Sequence, residues 1–375
     1  MKIDNIINEI FEEEIVSLTF SNPFKKSEKF KKITIDNIDN MYTISEYSET
    51  QVFHKHLSGF ETKRLMHELF ETYKQLDGKV VTGNYNIRVN KKGNVLRRFS
   101  AQTNQVIESH NRSKNYILSN YKEMEILKDL KIVSHDNEII STMFDKFKQI
   151  NKYVELVDDL IKNDDLEKLK IVDFGSGKSY LTFALYEYLV NVKQIEVEVY
   201  GIDLKESVIK DNQALAEKYG YKNLNFIHGD INDIEIDNVD MMISLHACDI
   251  ATDLALNKAL AWKVKYIVAV PCCQNELYKQ LKSDQFEKML DFNIIKERMS
   301  ALITDTVRSN VLQYKGYNTQ VIEYIDSSHS LKNLMIRARF TNHTDHKALD
   351  NIIELQNTYN FNQKLLELQN IGLKK

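Results

Sequence analysis

The sequence predicts an α/β protein: a largely parallel sheet carrying the chemistry, preceded by an N-terminal α+β domain and a helical connector. Three observations carry this expectation. From Leu169 onward, short and nearly continuous apolar segments alternate with helical ones, which puts strands at 170–174, 197–202, 224–227, 241–245 and 266–270. Strands of that composition belong to a parallel sheet covered by helices on both faces. The chain has 11 Gly and 2 Pro in 375 residues, where average usage would give about 26 and 19. Five of those glycines (Gly175, Gly177, Gly201, Gly220, Gly229) fall within 55 residues, and Pro271 follows an apolar run. Before that region, alternating apolar residues over 15–55, and again on both sides of the turn 90–93, read as antiparallel strands and a hairpin.

The elements follow in order. Leu65, Leu69 and Tyr73 recur at helical spacing in 61–73. Residues 116–163 read as helical throughout; Met143, Phe147, Ile150, Tyr153, Val154, Val157 and Ile161 form one stripe. Segments 320–325 and 334–340 are expected to close the sheet as an antiparallel pair, and one helix runs from about His346 to Ile371. The domains expected are 1–115 (α+β), 116–165 (connector), 166–341 (the sheet) and 342–375 (a C-terminal helix).

Composition excludes several classes. An apolar content of 43% excludes a disordered chain. No apolar run approaches the ~18 residues of a membrane span, and Glu12–Glu14 make the start too acidic for a signal peptide. Three cysteines are too few for a disulfide framework. A cytoplasmic protein without membrane partners is expected. The net charge of −4 excludes a uniformly basic nucleic-acid binder, yet the N-terminal part is locally basic. Between Lys79 and Lys114 eight Lys or Arg face one acid, and five Lys lie between Phe24 and Lys32. Arg88, Lys91, Lys92, Arg97, Arg98, Arg112 and Lys114 are therefore candidate RNA contacts, with Tyr85 or Phe99 available to stack on an unpaired base.

The densest motif is Asp173-Phe174-Gly175-Ser176-Gly177-Lys178-Ser179, running from a strand through a glycine turn into a helix. A Walker A loop would need Gly where Val172 stands, and a dinucleotide fingerprint would need it at Tyr180. The segment instead resembles the first loop of class I S-adenosylmethionine-dependent methyltransferases, acidic-x-G-x-G-x-G, with Ser179 in place of the third glycine. Asp203 ends the second strand 26 residues after Gly177, and Asp230 ends the third. The resemblance implies a Rossmann-like fold and S-adenosylmethionine as cofactor, held by Asp173, Phe174, Gly175, Ser176, Gly177, Ser179, Asp203, Leu204, Asp230, Ile231 and Leu245.

The reactive edge lies after strands four and five, at Leu245-His246-Ala247-Cys248-Asp249 and Pro271-Cys272-Cys273-Gln274. His246, Cys248, Asp249 and Cys272 are the catalytic candidates. For the cysteines four readings stand open: packing, a zinc site with His246, a nucleophile toward a pyrimidine, or a contact with the target base. No metal is assigned, because vicinal Cys272 and Cys273 are not expected to serve one tetrahedral ion. Asp249 also suits the N-cap of the next helix. Arg308, Lys332 and Arg337 are read as possible phosphate clamps beside strand ends. These two segments resemble the branch of methyltransferases that includes eukaryotic tRNA 2′-O-methyltransferases and bacterial RlmQ-type 23S ribosomal RNA guanine-N7 methyltransferases. The eukaryotic enzymes carry an N-terminal Cys/His zinc module, whereas here no Cys precedes Cys248. The resemblance thus implies RNA methylation, with ribosomal RNA ahead of tRNA and guanine N7 as target atom. A small-molecule or protein methyltransferase is the rival.

Overall fold

The computed structural model describes residues 3–38, 41–90, 93–101, 117–118, 123–245, 247–324 and 333–372. The chain divides into two compact units, Met1–Lys148 and Gln149–Lys375.

The first unit holds α1 (Ile3–Glu12), β1 (Ile15–Pro23), β2 (Lys32–Ile38), β3 (Met41–Tyr47), β4 (Val52–Leu57), α2 (Gly59–Thr72), β5 (Tyr73–Val80), β6 (Gly83–Val89) and β7 (Val95–Ala101). The seven strands form one antiparallel sheet in the order β4-β3-β2-β1-β5-β6-β7. Ile6, Ile7 and Ile10 of α1 and Met66, Leu69 and Phe70 of α2 share a core with Leu18, Phe20, Ile35, Leu76 and Ile87 of the strands. Helix α2 starts where Ser58 and Glu61 form a reciprocal capping box, an arrangement that stabilises a helix start by about 1 kcal/mol.

The connector departs from expectation. Its described part contains α3 (Ile126–Asp129), a single 3-10 turn at Ser141–Met143 and then α4 (Phe144–Ile161), within which the division between units falls. Ile126, Leu127, Ile132, Val133 and Ile139 are buried, which accounts for the helix-like spacing of apolar residues. Lys131 and Asn137 at positive φ, with a Val133–Ile139 bridge, fold the segment as turns instead.

The second unit holds β8 (Lys168–Phe174), α5 (Tyr180–Glu187), β9 (Glu196–Asp203), α6 (Glu206–Lys218), β10 (Leu224–His228), β11 (Met241–Ser244), α7 (Ile250–Trp262), β12 (Tyr266–Ala269), α8 (Asn275–Gln280), α9 (Glu287–Leu290), α10 (Asn293–Tyr314), β13 (Tyr317–Glu323), β14 (Leu334–Phe340), α11 (His346–Tyr359) and α12 (Lys364–Gln369). Its sheet runs β10-β9-β8-β11-β12-β14-β13. The first five strands are parallel, and the final pair is antiparallel. This is the α/β, Rossmann-like architecture the sequence predicts. Strand order reverses at β8, whose Asp173 lies between Gly201 of β9 and Ile243 of β11. In sheets of this kind the ligand crevice lies outside the carboxyl ends of the strands at such a switch point. Gly201 is required by packing: a Cβ there would come within 2.6 Å of the Phe226 ring on β10.

Two expectations fail here. The C-terminal helix is broken at Asn360, which adopts φ 50° and ends α11 before α12 begins. Helix α11 packs on α10, and α12 packs on α7. Arg308, expected beside a strand end, lies instead within α10, where Ser300, Thr304, Asp305, Arg308, Ser309 and Asn310 are all buried. The hydroxyls of Ser300, Thr304 and Ser309 donate to the carbonyls four residues earlier. A buried polar stripe has the spacing of an exposed one, so the sequence pattern misleads about which face is inside.

Candidate active site

The loop after β8 is shaped by left-handed backbone at Gly175 (φ 73°), Gly177 (φ 53°) and Ser179 (φ 54°). Ser179 takes this conformation without being glycine, and its surroundings offset the strain. Its Oγ donates toward the carbonyls of Ser176 and Gly177 at 3.3 Å each and accepts from Asn212 Nδ2 at 2.9 Å. Asn212 Nδ2 also donates to the Gly177 carbonyl at 2.8 Å. Sequence reasoning missed Asn212, although it shares the buried side of α6 with Ile209 and Ala216. A polar residue at the i+3 position of an apolar stripe was the available signal.

Asp173 is buried beneath this loop. Thr182 Oγ1 donates to its Oδ2 at 2.5 Å, while Oδ1 has no hydrogen-bond partner among the described residues. Burial pushes its carboxyl up from 3.8 to about 7; the Thr182 hydrogen bond opposes the rise and the charge of Asp203 adds to it. Asp203 braces the loop, accepting from Gly177 N at 3.0 Å through Oδ2 and from Lys205 N at 2.9 Å through Oδ1. Asp230 accepts from Asn232 N and Nδ2, both at 2.8 Å, closing its own turn. Leu204 is 67% exposed beside Asp203, whereas Phe174, Ser176 and Leu245 are buried and Ile231 is half-buried. The buried Oγ atoms of Ser176 and Ser244 are, like Asp173 Oδ1, without a hydrogen-bond partner among the described residues.

On the other side of the crevice, the turns after β11 and β12 bring the three cysteines together. Cys248 Sγ lies 3.2 Å from Cys272 Sγ and 3.6 Å from Cys273 Sγ, and the vicinal pair is 3.8 Å apart. Adjacency in the chain therefore does not separate Cys272 from Cys273. Burial and the two neighbouring sulfurs push the Cys272 thiol up to about 12. That is the opposite of the shift an attacking thiolate needs. Asp249 stands at the N-cap position of α7 but makes no cap bond there; it adopts φ 50°, ψ −110°, and its Oδ2 accepts from Glu276 N at 2.8 Å. His246 lies outside the described residues.

A fully buried Arg308 holds this arrangement from below. Its Nε donates to Asp253 Oδ1 at 2.6 Å, Nη1 to Asp305 Oδ1 at 2.9 Å, and Nη2 to the Asp249 carbonyl at 2.8 Å. Gln274 Nε2 donates to Asp305 Oδ2 at 3.2 Å, tying in the loop after β12. Arg308 is thus a brace and no phosphate clamp. Arg337 is likewise engaged, with Asp159 at 2.6 Å and Gln320 Oε1 at 2.7 Å. Lys332 lies outside the described residues.

Within the first unit, Arg88 and Arg98 are exposed on the solvent side of the sheet. Arg97 points to the other side, pairs with Glu9 and lies over the rings of Tyr85 and Phe99. Tyr85 is buried, which removes it as a stacking platform. Lys91, Lys92, Arg112 and Lys114 lie outside the described residues. Arg88 instead lines a groove of about 740 Å³ with Lys26, Lys31, Lys74, Asn22 and Gln75.

A family described as a methyltransferase domain matches residues 145–280. Among curated proteins, the chain is similar to the glutathione S-transferase C-terminal domain-containing protein of Bos taurus, 24% identical over 217 residues, covering 51% of this chain and 32% of that one. The protein of the same name from Mus musculus is 25% identical with the same coverage. The chain spans about a third of the length of these relatives. Among solved structures it is similar to an rRNA methylase from Streptococcus thermophilus, with a TM-score of 0.33 and 11% identity over 50% of this chain and 95% of that one. A geranyl diphosphate methyltransferase complexed with GPP and sinefungin gives a TM-score of 0.35 and 13% identity over 50% and 78%. The residues matched by the methyltransferase-domain family include the glycine turn and the five parallel strands of the α/β sheet.

Proposed function

We propose that this chain is an S-adenosylmethionine-dependent methyltransferase that acts on RNA, at guanine N7 of 23S ribosomal RNA. The groove in the first unit carries the RNA reading: it is lined by Lys26, Lys31, Lys74 and Arg88, with no carboxylate among its described lining residues. Such a cluster neutralises backbone phosphates, the main source of affinity for RNA. No helix among the described residues is long and apolar enough to cross a membrane.

The crevice fits the cofactor on three grounds. The loop carries no side chain at Gly175 and Gly177, Asp173 Oδ1 and Ser176 Oγ are buried without partners among the described residues, and Leu204 offers exposed apolar surface at the strand edge. Asp173, Gly175, Ser176 and Gly177 would receive its polar end, and Asp203 and Asp230 its ribose and adenine. Leu204, Ile231 and Leu245 would supply apolar contact; Phe174 and Ser179 support the loop from beneath. When bound, the cofactor supplies an electrophilic methyl group on a sulfonium centre.

Guanine N7 presents a lone pair, so no proton has to leave before attack, and the protein's work is alignment and exclusion of water. The raised Cys272 thiol supports direct transfer over a covalent pyrimidine adduct. Cys248, Cys272 and Asp249 then border the acceptor rather than attack it.

A second reading, a small-molecule or protein acceptor, is favoured by the net charge of −4, low for a protein that meets RNA; a tRNA acceptor is the alternative among RNAs. Nucleoside mass spectrometry of RNA from cells with and without the gene separates them. Loss of 7-methylguanosine from large-subunit RNA is expected; loss of a tRNA nucleoside would move the acceptor to tRNA, and no loss at all would transfer the assignment to the second reading.

A further inference from the structure

Cys248 follows β11 and the vicinal cysteines follow β12, and these strands are parallel neighbours paired through Ser244 and Ala269. The two turns therefore leave the sheet side by side, and their three sulfurs make a triangle of 3.2, 3.6 and 3.8 Å. Zinc–thiolate bonds of about 2.3 Å place two sulfurs of a tetrahedral site about 3.8 Å apart. One edge of the triangle already has that length, and the other two reach it if Cys248, the exposed member, moves outward by a few tenths of an ångström. We propose that Cys248, Cys272 and Cys273 form a three-thiolate site for a thiophilic divalent cation such as zinc, at the acceptor edge of the crevice.

The surroundings support a site that is built rather than incidental. Asp249, next to Cys248, reaches across to the backbone of Glu276, three residues past Cys273. Arg308 holds the Asp249 carbonyl, and through Asp305 it holds Gln274, next to Cys273. The two turns that bear the sulfurs are thus cross-braced by buried polar contacts, the kind of outer support that fixes ligand orientation in metal sites. Cys248 is exposed and the other two are half-buried, leaving a path for the ion. Binding breaks three S–H bonds, forms three metal–sulfur bonds and delivers three protons to solvent. Three protein ligands leave the fourth position of a tetrahedral ion open. This assignment holds whatever the methyl acceptor is.

The test uses the full chain, reduced and stripped of metal with a chelator, then titrated with zinc or cadmium. We expect one ion per chain and an ultraviolet cadmium–thiolate band with the amplitude of three thiolates. Proton release near three per ion should accompany it, as should metal-dependent protection of all three cysteines from alkylation, counted by mass spectrometry. C248S, C272S and C273S should each remove about a third of the band and weaken binding at least tenfold. The protection assay needs no variant, so a substitution that prevents folding does not remove the test. Absence of saturable binding, a band of one or two thiolates, or a Cys248–Cys272 disulfide that persists in the presence of the metal would overturn the assignment. None of these readouts involves methyl transfer, so the proposed function can fail without it.

Discussion

Asp173→Asn removes a charge that the crevice holds unfavourably. The carboxyl is pushed from 3.8 to about 7 by burial, so between these values the folded chain keeps a proton that the unfolded chain has lost. A group whose folded value is raised stabilises fully below its unfolded value, and that stability is lost as pH rises through the folded value. Each pH unit between the two values is worth about 1.4 kcal/mol, so the cost grows from ~1.7 kcal/mol at about pH 5 to ~4.3 kcal/mol at about pH 8. Asparagine keeps an acceptor for Thr182 Oγ1 but leaves an amide donor where Oδ1 has no partner among the described residues, a cost of about 1–3 kcal/mol that does not vary with pH. The stability of D173N relative to the native chain should therefore rise by ~2.6 kcal/mol from about pH 5 to about pH 8. Urea denaturation of both chains at each pH reads this difference. Calorimetry with the cofactor supplies the second arm. If ionised Asp173 receives a donor of the cofactor, native affinity falls roughly tenfold per pH unit below about pH 7, whereas D173N binds weakly at every pH. A stability difference that is flat with pH would refute the buried charge, and unchanged affinity in D173N would refute its role in binding.

The remaining predictions follow from the same contacts. Arg308→Met leaves Asp253 and Asp305 without their cation and should destabilise the second unit by about 3–5 kcal/mol by chemical denaturation; a loss under about 1 kcal/mol would mean the brace carries no weight. Gly201→Ala forces a methyl group against the Phe226 ring and should cost about 1–3 kcal/mol, read as a lower urea midpoint. The triple variant K26E, K74E and R88E should keep cofactor affinity by calorimetry while weakening RNA binding. The slope of log affinity against log salt should shrink by about 2 in filter-binding assays, and an unchanged slope would remove the groove from RNA contact. Asn212→Ala withdraws two hydrogen bonds from the left-handed stretch at Gly177 and Ser179, and should weaken cofactor binding severalfold with little change at Asp173.

What the sequence made legible was what repeats or punctuates. The five parallel strands announced themselves by apolar runs, and the glycine turn by its position after β8, because those signals are local. The readings that failed depended on which side of an element is inside. Thr304–Arg308 has the composition of a polar surface, yet it lines a core where Arg308, Asp305 and Asp253 satisfy one another across α10 and α7. Arg97 sits among exposed cations in the sequence, but the register Ile87↔Arg97 turns it to the covered side of the sheet, where Glu9 meets it. Asp253 lies 55 residues from Arg308 and Glu9 lies 88 from Arg97, beyond the reach of any periodicity. Asn360 broke the C-terminal helix for a related reason. The bend sets Gln363 and the backbone of Leu365 against Asp253, a destination that only the fold supplies.

These long-range contacts converge on one charge balance. Arg308 faces two carboxylates, so the buried cluster would carry one excess negative charge if all three groups ionised. Burial raises both acids against the opposing pull of Arg308, Asp305 to about 6 and Asp253 in the same direction. The excess is moderated by Gln274, Gln363 and the Leu365 amide, all donating to these carboxylates. Replacing such a cluster by apolar residues often leaves stability unchanged or raised, so stability alone does not account for its presence. Its distinguishing output is positional: Nη2 of Arg308 ends on the carbonyl of Asp249, a residue held at φ 50°, ψ −110°. Backbone in that region persists only where its surroundings over-determine it. The strain is located between Cys248 and α7, at the point where the turn after β11 must present its thiol to the two from β12. A cluster charged enough to need three donors from the chain's C-terminal half thus fixes a turn that the local sequence would not hold by itself.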